Sequence, residues 1–140
     1  MKALVFEKYG SPDVLELCEV DKPVAKDHEV LVKVSASSIN SWDWELLQGK
    51  QFVNRLMFGL LKPNKINILD CDIAGRIEAI GNKVTKFQTG DDVYGDVLSS
   101  TWGGFDEYCC APENTVETCL HDLQASIGYT SSRSNRLAEP

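Results

Sequence analysis

The sequence contains no apolar run long enough to cross a bilayer. Its longest apolar stretch, residues 52–61, is interrupted by Asn54 and Arg55 and reaches about half the length that a membrane-spanning helix needs. Cations are scarce too: 14 Lys and Arg stand against 21 Asp and Glu, a formal charge of −7 with no basic cluster. That balance argues against nucleic acid and against an anionic membrane surface as partners, because both are held by clustered Lys and Arg that displace counterions. The opening MKALVFEKYG lacks the positive segment, apolar core and small-residue cleavage site of a secretory leader. Nor do the five cysteines, Cys18, Cys71, Cys109, Cys110 and Cys119, form an even set or a CxxC pair. They read as free thiols, not as a disulfide framework. A soluble protein of the reducing cytoplasm is expected.

What is present suffices for one folded domain. A chain of 140 residues, 43% of them hydrophobic, buries roughly two-thirds of its unfolded surface and needs neither disulfide nor metal to hold a core. Residues 3–6, 14–20 (VLELCEV) and 29–37 are β-rich or alternate apolar with polar, the last placing Val30, Val32, Val34 and Ala36 on one face. Turn signals separate them at Tyr9-Gly10-Ser11-Pro12 and Lys22-Pro23. NSWDWELLQG, residues 40–49, breaks the two-residue period and predicts a short helix with Asn40 or Ser41 as its cap and Gly49 as its stop. Residues 52–61 fit an amphipathic helix that ends before Lys62-Pro63-Asn64. Further strands are predicted over residues 72–80, 84–87, 92–98 and 105–111, with Gly75 marking a bulge or a close backbone approach. Short strands separated by Gly-containing turns point to a mainly β barrel or sandwich with one or two short helices outside. Gly90, Asp91 and Gly95 read as turn residues. Cys109 and Cys110 read as core, since Glu107 and Glu113 deny them the electropositive surroundings of a reactive thiolate. After Val116 the texture changes, and residues 126–140 (SIGYTSSRSNRLAEP) carry almost no apolar periodicity, the composition of a disordered tail.

Five phrases, MKALVFEKYGSPDVLEL, EVLVKVSASSINSWDW, DIAGRIEAIG, VTKFQTGDDVYG and GGFDEYCCAPEN, occur in this order and spacing within residues 1–116. Together they resemble the N-terminal half of the medium-chain dehydrogenases/reductases, and within these the zinc-free quinone oxidoreductase (zeta-crystallin-like) branch. The resemblance implies a GroES-like β-barrel of the alcohol dehydrogenase N-terminal type, a substrate-binding domain over residues 1–116. In the family a Rossmann domain follows and holds NADPH in the cleft between the two, and hydride passes from the nicotinamide to a quinone, enone or related carbonyl.

The matched positions carry the expected chemistry. In zinc-dependent relatives a cysteine ligand begins the turn that here reads Ile39-Asn40-Ser41-Trp42-Asp43, and a histidine ligand lies on the strand that here reads Asp70-Cys71-Asp72. A catalytic zinc needs three protein ligands converging on one point. Cys71 and Asp72 alone do not supply three, His28 falls in a loop, and the four-cysteine structural lobe is missing, so no zinc is expected. Asn40 becomes the first candidate for the cleft, both as a catalytic group and as a cofactor contact: its amide donates and accepts at once and could orient a carbonyl oxygen or the nicotinamide carboxamide. It could equally cap the helix that starts at Ser41, and both roles can hold. Asp43 is the second catalytic candidate, as an anchor of the turn, although an acid in a first helical turn also favours the helix dipole without further role. Trp42 and Trp44 could wall a flat pocket. At i and i+2 they point to different faces, so one is expected in the core and one near the cleft. Cys71 and Trp102 complete the expected pocket. The family commonly has Gly where this chain has Asp70, and a charge there could alter the pocket mouth.

A dinucleotide site needs a Gly-rich turn between a strand and a helix N-terminus, and the chain has no GxGxxG or similar cluster. Its residues are therefore not expected to hold NADPH in the family's way, and the Rossmann domain is expected to be missing. Residues 117–140, written back as codons with suitable synonymous choices and read one nucleotide later, give KPACMTFKQASATPAAGLTALQN, which resembles the family's continuation after the barrel. An out-of-frame tail, displaced near Val116, is expected; truncation with an unrelated tail is the rival. The functional expectation is the substrate domain of an NADPH-dependent oxidoreductase acting on a small quinone or carbonyl and inactive by itself. The alternative is a stand-alone GroES-like module that binds a partner or a second copy through its exposed domain interface and catalyses nothing. A thiol or metal-binding protein using Cys71, Cys109 and Cys110 is a third reading.

Overall fold

The computed structural model describes residues 1–49, 56, 59, 60, 68–98 and 103–119. Its elements are β1 (Lys2–Phe6), β2 (Leu15–Glu19), β3 (Glu29–Ser37), α1 (Ser41–Gln48), β4 (Asp72–Ile80), β5 (Asp92–Asp96), β6 (Tyr108–Pro112) and β7 (Val116–Thr118), with a single 3-10 turn at Pro12–Val14. β1 and β2 form an antiparallel pair. The other strands make one antiparallel sheet in the order β6-β3-β4-β5-β7. The chain just before β6 stitches the two together: Leu4 N–H donates to the Phe105 carbonyl, Glu107 N–H to that of Lys2, and Val34 N–H to that of Glu107, at 3.1, 3.2 and 3.0 Å. This is the mainly β, GroES-like architecture that the phrases implied.

Alternation on the strands sends one set of side chains inward. Val30 and Val32 of β3, Ile73 and Ile77 of β4, Val93 of β5, Ala111 of β6 and Val116 of β7 meet in one buried cluster with Cys71 and Cys109. A second cluster packs Leu46 and Leu47 of α1 on Phe6 and Leu69, each such side chain contributing about 1.5–3 kcal/mol on burial. None of the five cysteines is in a disulfide, and burial, with Glu29 adding to it, pushes the Cys110 thiol up to about 11. The cysteine pair is core. Among the described residues no helix is long and apolar enough to cross a membrane.

Several expectations are corrected. Residues 84–87 are not a strand: the Glu113 carboxylate accepts from Thr85 N–H and Lys86 N–H at 3.0 and 3.2 Å, holding a loop whose Val84 and Phe87 pack on the core three residues apart. Gly95 lies inside β5, not in a turn; a Cβ there would stand 2.2 Å from the Thr115 carbonyl oxygen, so the approach of β7 requires glycine. β5 ends at Asp96, two residues short of the predicted limit. β7 pairs with β5, and Cys119 N–H donates to the Asp92 carbonyl at 2.8 Å, so the sheet continues beyond Val116. The helix expected over residues 52–61 lies largely outside the described residues, and Trp102 and residues 120–140 lie outside them.

Asp106 bridges to Ala3 where the two sheets join, and its Oδ1 is buried without a hydrogen-bond partner. Burial raises this carboxyl to about 7, against a downward pull from the Met1 ammonium. Its folded state therefore holds a proton that the unfolded chain gives up near pH 4, and the associated stability is complete below that value and is lost as pH rises through 7. Asp106→Asn should flatten this decline and raise stability at pH 8 by about 1 kcal/mol once solvent screening is allowed for. Urea midpoints at pH 5 and pH 8 check it; parallel pH profiles for the variant and the parent would contradict it.

Candidate functional site

α1 starts on an interlocked cap. Asn40, in extended conformation, accepts from Trp42 N–H through its side-chain oxygen at 3.1 Å, and Asp43 Oδ2 accepts in return from Asn40 N–H at 2.9 Å. This reciprocal box satisfies donors that a helix start otherwise leaves open. The other Asp43 oxygen, Oδ1, accepts from Asp70 N–H at 2.8 Å. Asp43 is only 3% exposed, and its two oxygens bind backbone groups of two separate segments. It ties the start of the helix to the approach of β4, and it does not line the large pocket described below.

Capping uses the carbonyl of the Asn40 amide and leaves its nitrogen. Nδ2 donates to Cys71 Sγ at 3.5 Å and to Asp72 Oδ2 at 3.4 Å, while Ser38 Oγ donates to the same Asp72 oxygen at 2.7 Å. The Asn40–Asp72 bond is long for a nitrogen donor, so Asp72 holds this N–H only weakly while the cap keeps the amide in place. Beside this group opens a depression of about 500 Å³ formed by residues 36–38, 72–74 and 94–96. Its walls are mostly apolar, and Asp72 and Asp96 stand at its edge as register partners on β4 and β5.

Asp70 is not at that mouth. It is fully buried, and its φ of 77° is the one positive value on a non-glycine residue among those described. Left-handed backbone favours Gly and tolerates Asp, which accounts for the glycine expected here by resemblance. The Asp70 carbonyl accepts from Gly103 N–H and Gly104 N–H, its Oδ1 accepts from Asp72 N–H at 3.0 Å, and a Cβ on Gly104 would come within 2.4 Å of its Oδ2. Burial raises this carboxyl, against the lowering effect of the Asp72 N–H.

Of the expected pocket residues, Trp42 and Trp44 are 52% and 48% exposed, so neither is core: α1 turns Leu46 and Leu47 inward instead. Trp44 borders a separate apolar hollow of about 230 Å³ with Ile39 and Leu47. Cys71 is buried behind the pocket, its thiol raised by burial against the lowering contact from Asn40. Trp102 falls outside the described residues. Donor atoms of Asp70, Cys71 and Asp72 lie within 4.8 Å of one another, one donor more than the sequence suggested. They fit a zinc ion poorly. The Asn40 amide N–H already stands at hydrogen-bond distance from both Cys71 Sγ and Asp72 Oδ2, and a thiol pushed up resists the thiolate form that zinc requires. Ser38, Tyr94 and Asp96 were not singled out from the sequence, because only strand register brings them beside Asp72.

The alcohol dehydrogenase GroES-like domain profile matches residues 26–121. A quinone oxidoreductase of Lama guanicoe is 34% identical over 129 residues, which cover 91% of this chain and 36% of that protein. The structure of the quinone oxidoreductase from Coxiella burnetii superposes with a TM-score of 0.76 at 30% identity, covering 86% of this chain and 37% of that one. That of the Escherichia coli quinone oxidoreductase complexed with NADPH gives 0.71 at 21% identity over 86% of this chain and 33% of the other, a likeness of fold. The chain thus spans about a third of the length of these relatives.

Proposed function

Because the chain belongs to the alcohol dehydrogenase GroES-like domain family, on the quinone oxidoreductase branch of the medium-chain dehydrogenases/reductases, we propose that it is the substrate-side domain of a zinc-independent, cytoplasmic NAD(P)H-dependent oxidoreductase that reduces a quinone, enone or related carbonyl. The observation that carries this reading is the apolar depression of about 500 Å³ beside the Asn40–Asp72–Ser38 group.

The nicotinamide would supply the hydride. The chain's own residues would do the rest: residues 36–38 and 72–74 would hold a flat acceptor against apolar wall, and the weakly held Nδ2 of Asn40, its amide kept in place by the cap, would donate to the acceptor oxygen. Asp43 acts at one remove, as a positioning residue, by fixing the Asn40 backbone. The chain has no Gly-rich turn for a pyrophosphate, so it would meet a dinucleotide at the nicotinamide end alone. The isolated chain should therefore show no saturable NADPH fluorescence enhancement and no reductase turnover, and either signal would overturn this division of labour. Duroquinone, whose methyl groups block thiol addition, should shift the amide resonances of residues 36–38, 72–74 and 94–96 on titration. Absence of any shift there would refute the substrate site.

A second reading, a stand-alone module that assembles and does not catalyse, draws on the exposed Ile39, Trp42 and Trp44. It requires self-association by light scattering together with no response to duroquinone.

A further inference from the structure

We infer that the pocket sorts its ligands by charge: Asp72 and Asp96 admit a flat apolar ligand that is neutral or carries a cationic group, and disfavour one bearing a carboxylate, phosphate or sulfonate. This rests on the proposed substrate site and names the chemistry it takes.

Asp72 and Asp96 are directly opposite on antiparallel strands, where side chains start about 5 Å apart and like charges repel. Both line the depression, and among the described residues no Lys or Arg does. The single cation on β4 and β5, Arg76, is occupied at the other end of the strand pair, where it donates to both oxygens of Asp92 at 2.8 and 3.0 Å. The donors that hold the two pocket carboxylates are neutral: Ser38 Oγ and Asn40 Nδ2 on Asp72, and Leu98 N–H on Asp96 Oδ1 at 2.7 Å. They fix the oxygens without cancelling the charge. Nearby carboxylates also help keep the Cys71 thiol protonated, after burial, as expected of an electronegative wall. Tyr94, two residues before Asp96 on β5 and opposite Ala74, also lines the depression and is 48% exposed, a ring available to a flat ligand and to a quaternary ammonium. An apolar lining, an aromatic ring and two carboxylates that no described Lys or Arg pairs accept a ring with a positive substituent and repel the same ring with a negative one.

Three probes of one ring size test this: 2-naphthyltrimethylammonium, 2-methoxynaphthalene and naphthalene-2-sulfonate, each titrated into the chain at low ionic strength with amide shifts as the readout. The ammonium should bind about tenfold or more tighter than the sulfonate, with the neutral probe between, and added salt should narrow the gap. Asp96→Asn, which keeps an oxygen for Leu98 N–H, should raise sulfonate affinity about threefold and lower that of the ammonium. Equal affinities for all three, or an unchanged ratio in both Asp96→Asn and Asp72→Asn, overturn the charge filter while leaving the substrate site standing. If neither duroquinone nor any naphthalene shifts the pocket residues, the site and the filter fall together.

Discussion

Gly75→Ala should destabilise the chain by about 3 kcal/mol or more, a large part of the stability of a domain of this size. A Cβ at that position would stand 2.1 Å from the Lys33 carbonyl oxygen, 2.9 Å from its carbon and 3.0 Å from Val32 Cγ1. The first two are backbone atoms of β3, which has no room to withdraw because β6 pairs with its other edge. The crowding arises where the β3–β4 register slips between Val34 and Ala36, opposite Gly75, and the bulge brings the strands too close for a side chain. Gly90→Ala is the control: φ there is 99°, but a methyl group at that position would meet nothing within 4 Å, and the cost should be about 1 kcal/mol of backbone strain. Equal urea midpoints for the two variants would show that β3 and β4 can part without loss.

The second large effect is expected at Asp43. Removing its carboxylate leaves Asn40 N–H and Asp70 N–H without their acceptors, at distances of 2.9 and 2.8 Å in the parent chain. Hydrogen bonds to a charged group are worth about 1.5–3 kcal/mol each, and the relief of burying no charge offsets part of the loss. Asp43→Ala should therefore cost about 3 kcal/mol and lower the thermal midpoint by about 10 °C. Asp43→Asn keeps one acceptor and should fall between. Because Trp42 and Trp44 ride on the same helix, their near-ultraviolet dichroism should weaken in Asp43→Ala at temperatures where far-ultraviolet signal persists. A midpoint unchanged to within experimental error would mean that the carboxylate bonds are replaced by water.

β3, β4 and α1 were legible because each carries its own local signal: alternation along residues 29–37, DIAGRIEAI with its lone Gly75, and Asn40 and Gly49 at the two ends of NSWDWELLQ. β7 was not, since three residues after a turn hold too short a pattern, and what makes them a strand is the neighbouring β5. Residues 84–87 misled for the opposite reason: Val84 and Phe87 look like strand residues, but a side chain distant in sequence, Glu113, shapes their backbone. At the site, Asn40 stood out as a cap at a helix start and Asp43 as an acid in its first turn. Nothing local announced that Asp70 adopts a left-handed backbone, that Asp43 reaches 27 residues ahead to hold it, or that Asp96 comes opposite Asp72. Each of those depends on long-range register.

β7 also fixes where the chain leaves the sheet. Its Glu117 is paired with Tyr94 and its Val116 with Gly95, so both edges of β5 are paired and the backbone that carries Tyr94 and Asp96 into the pocket is held from two sides.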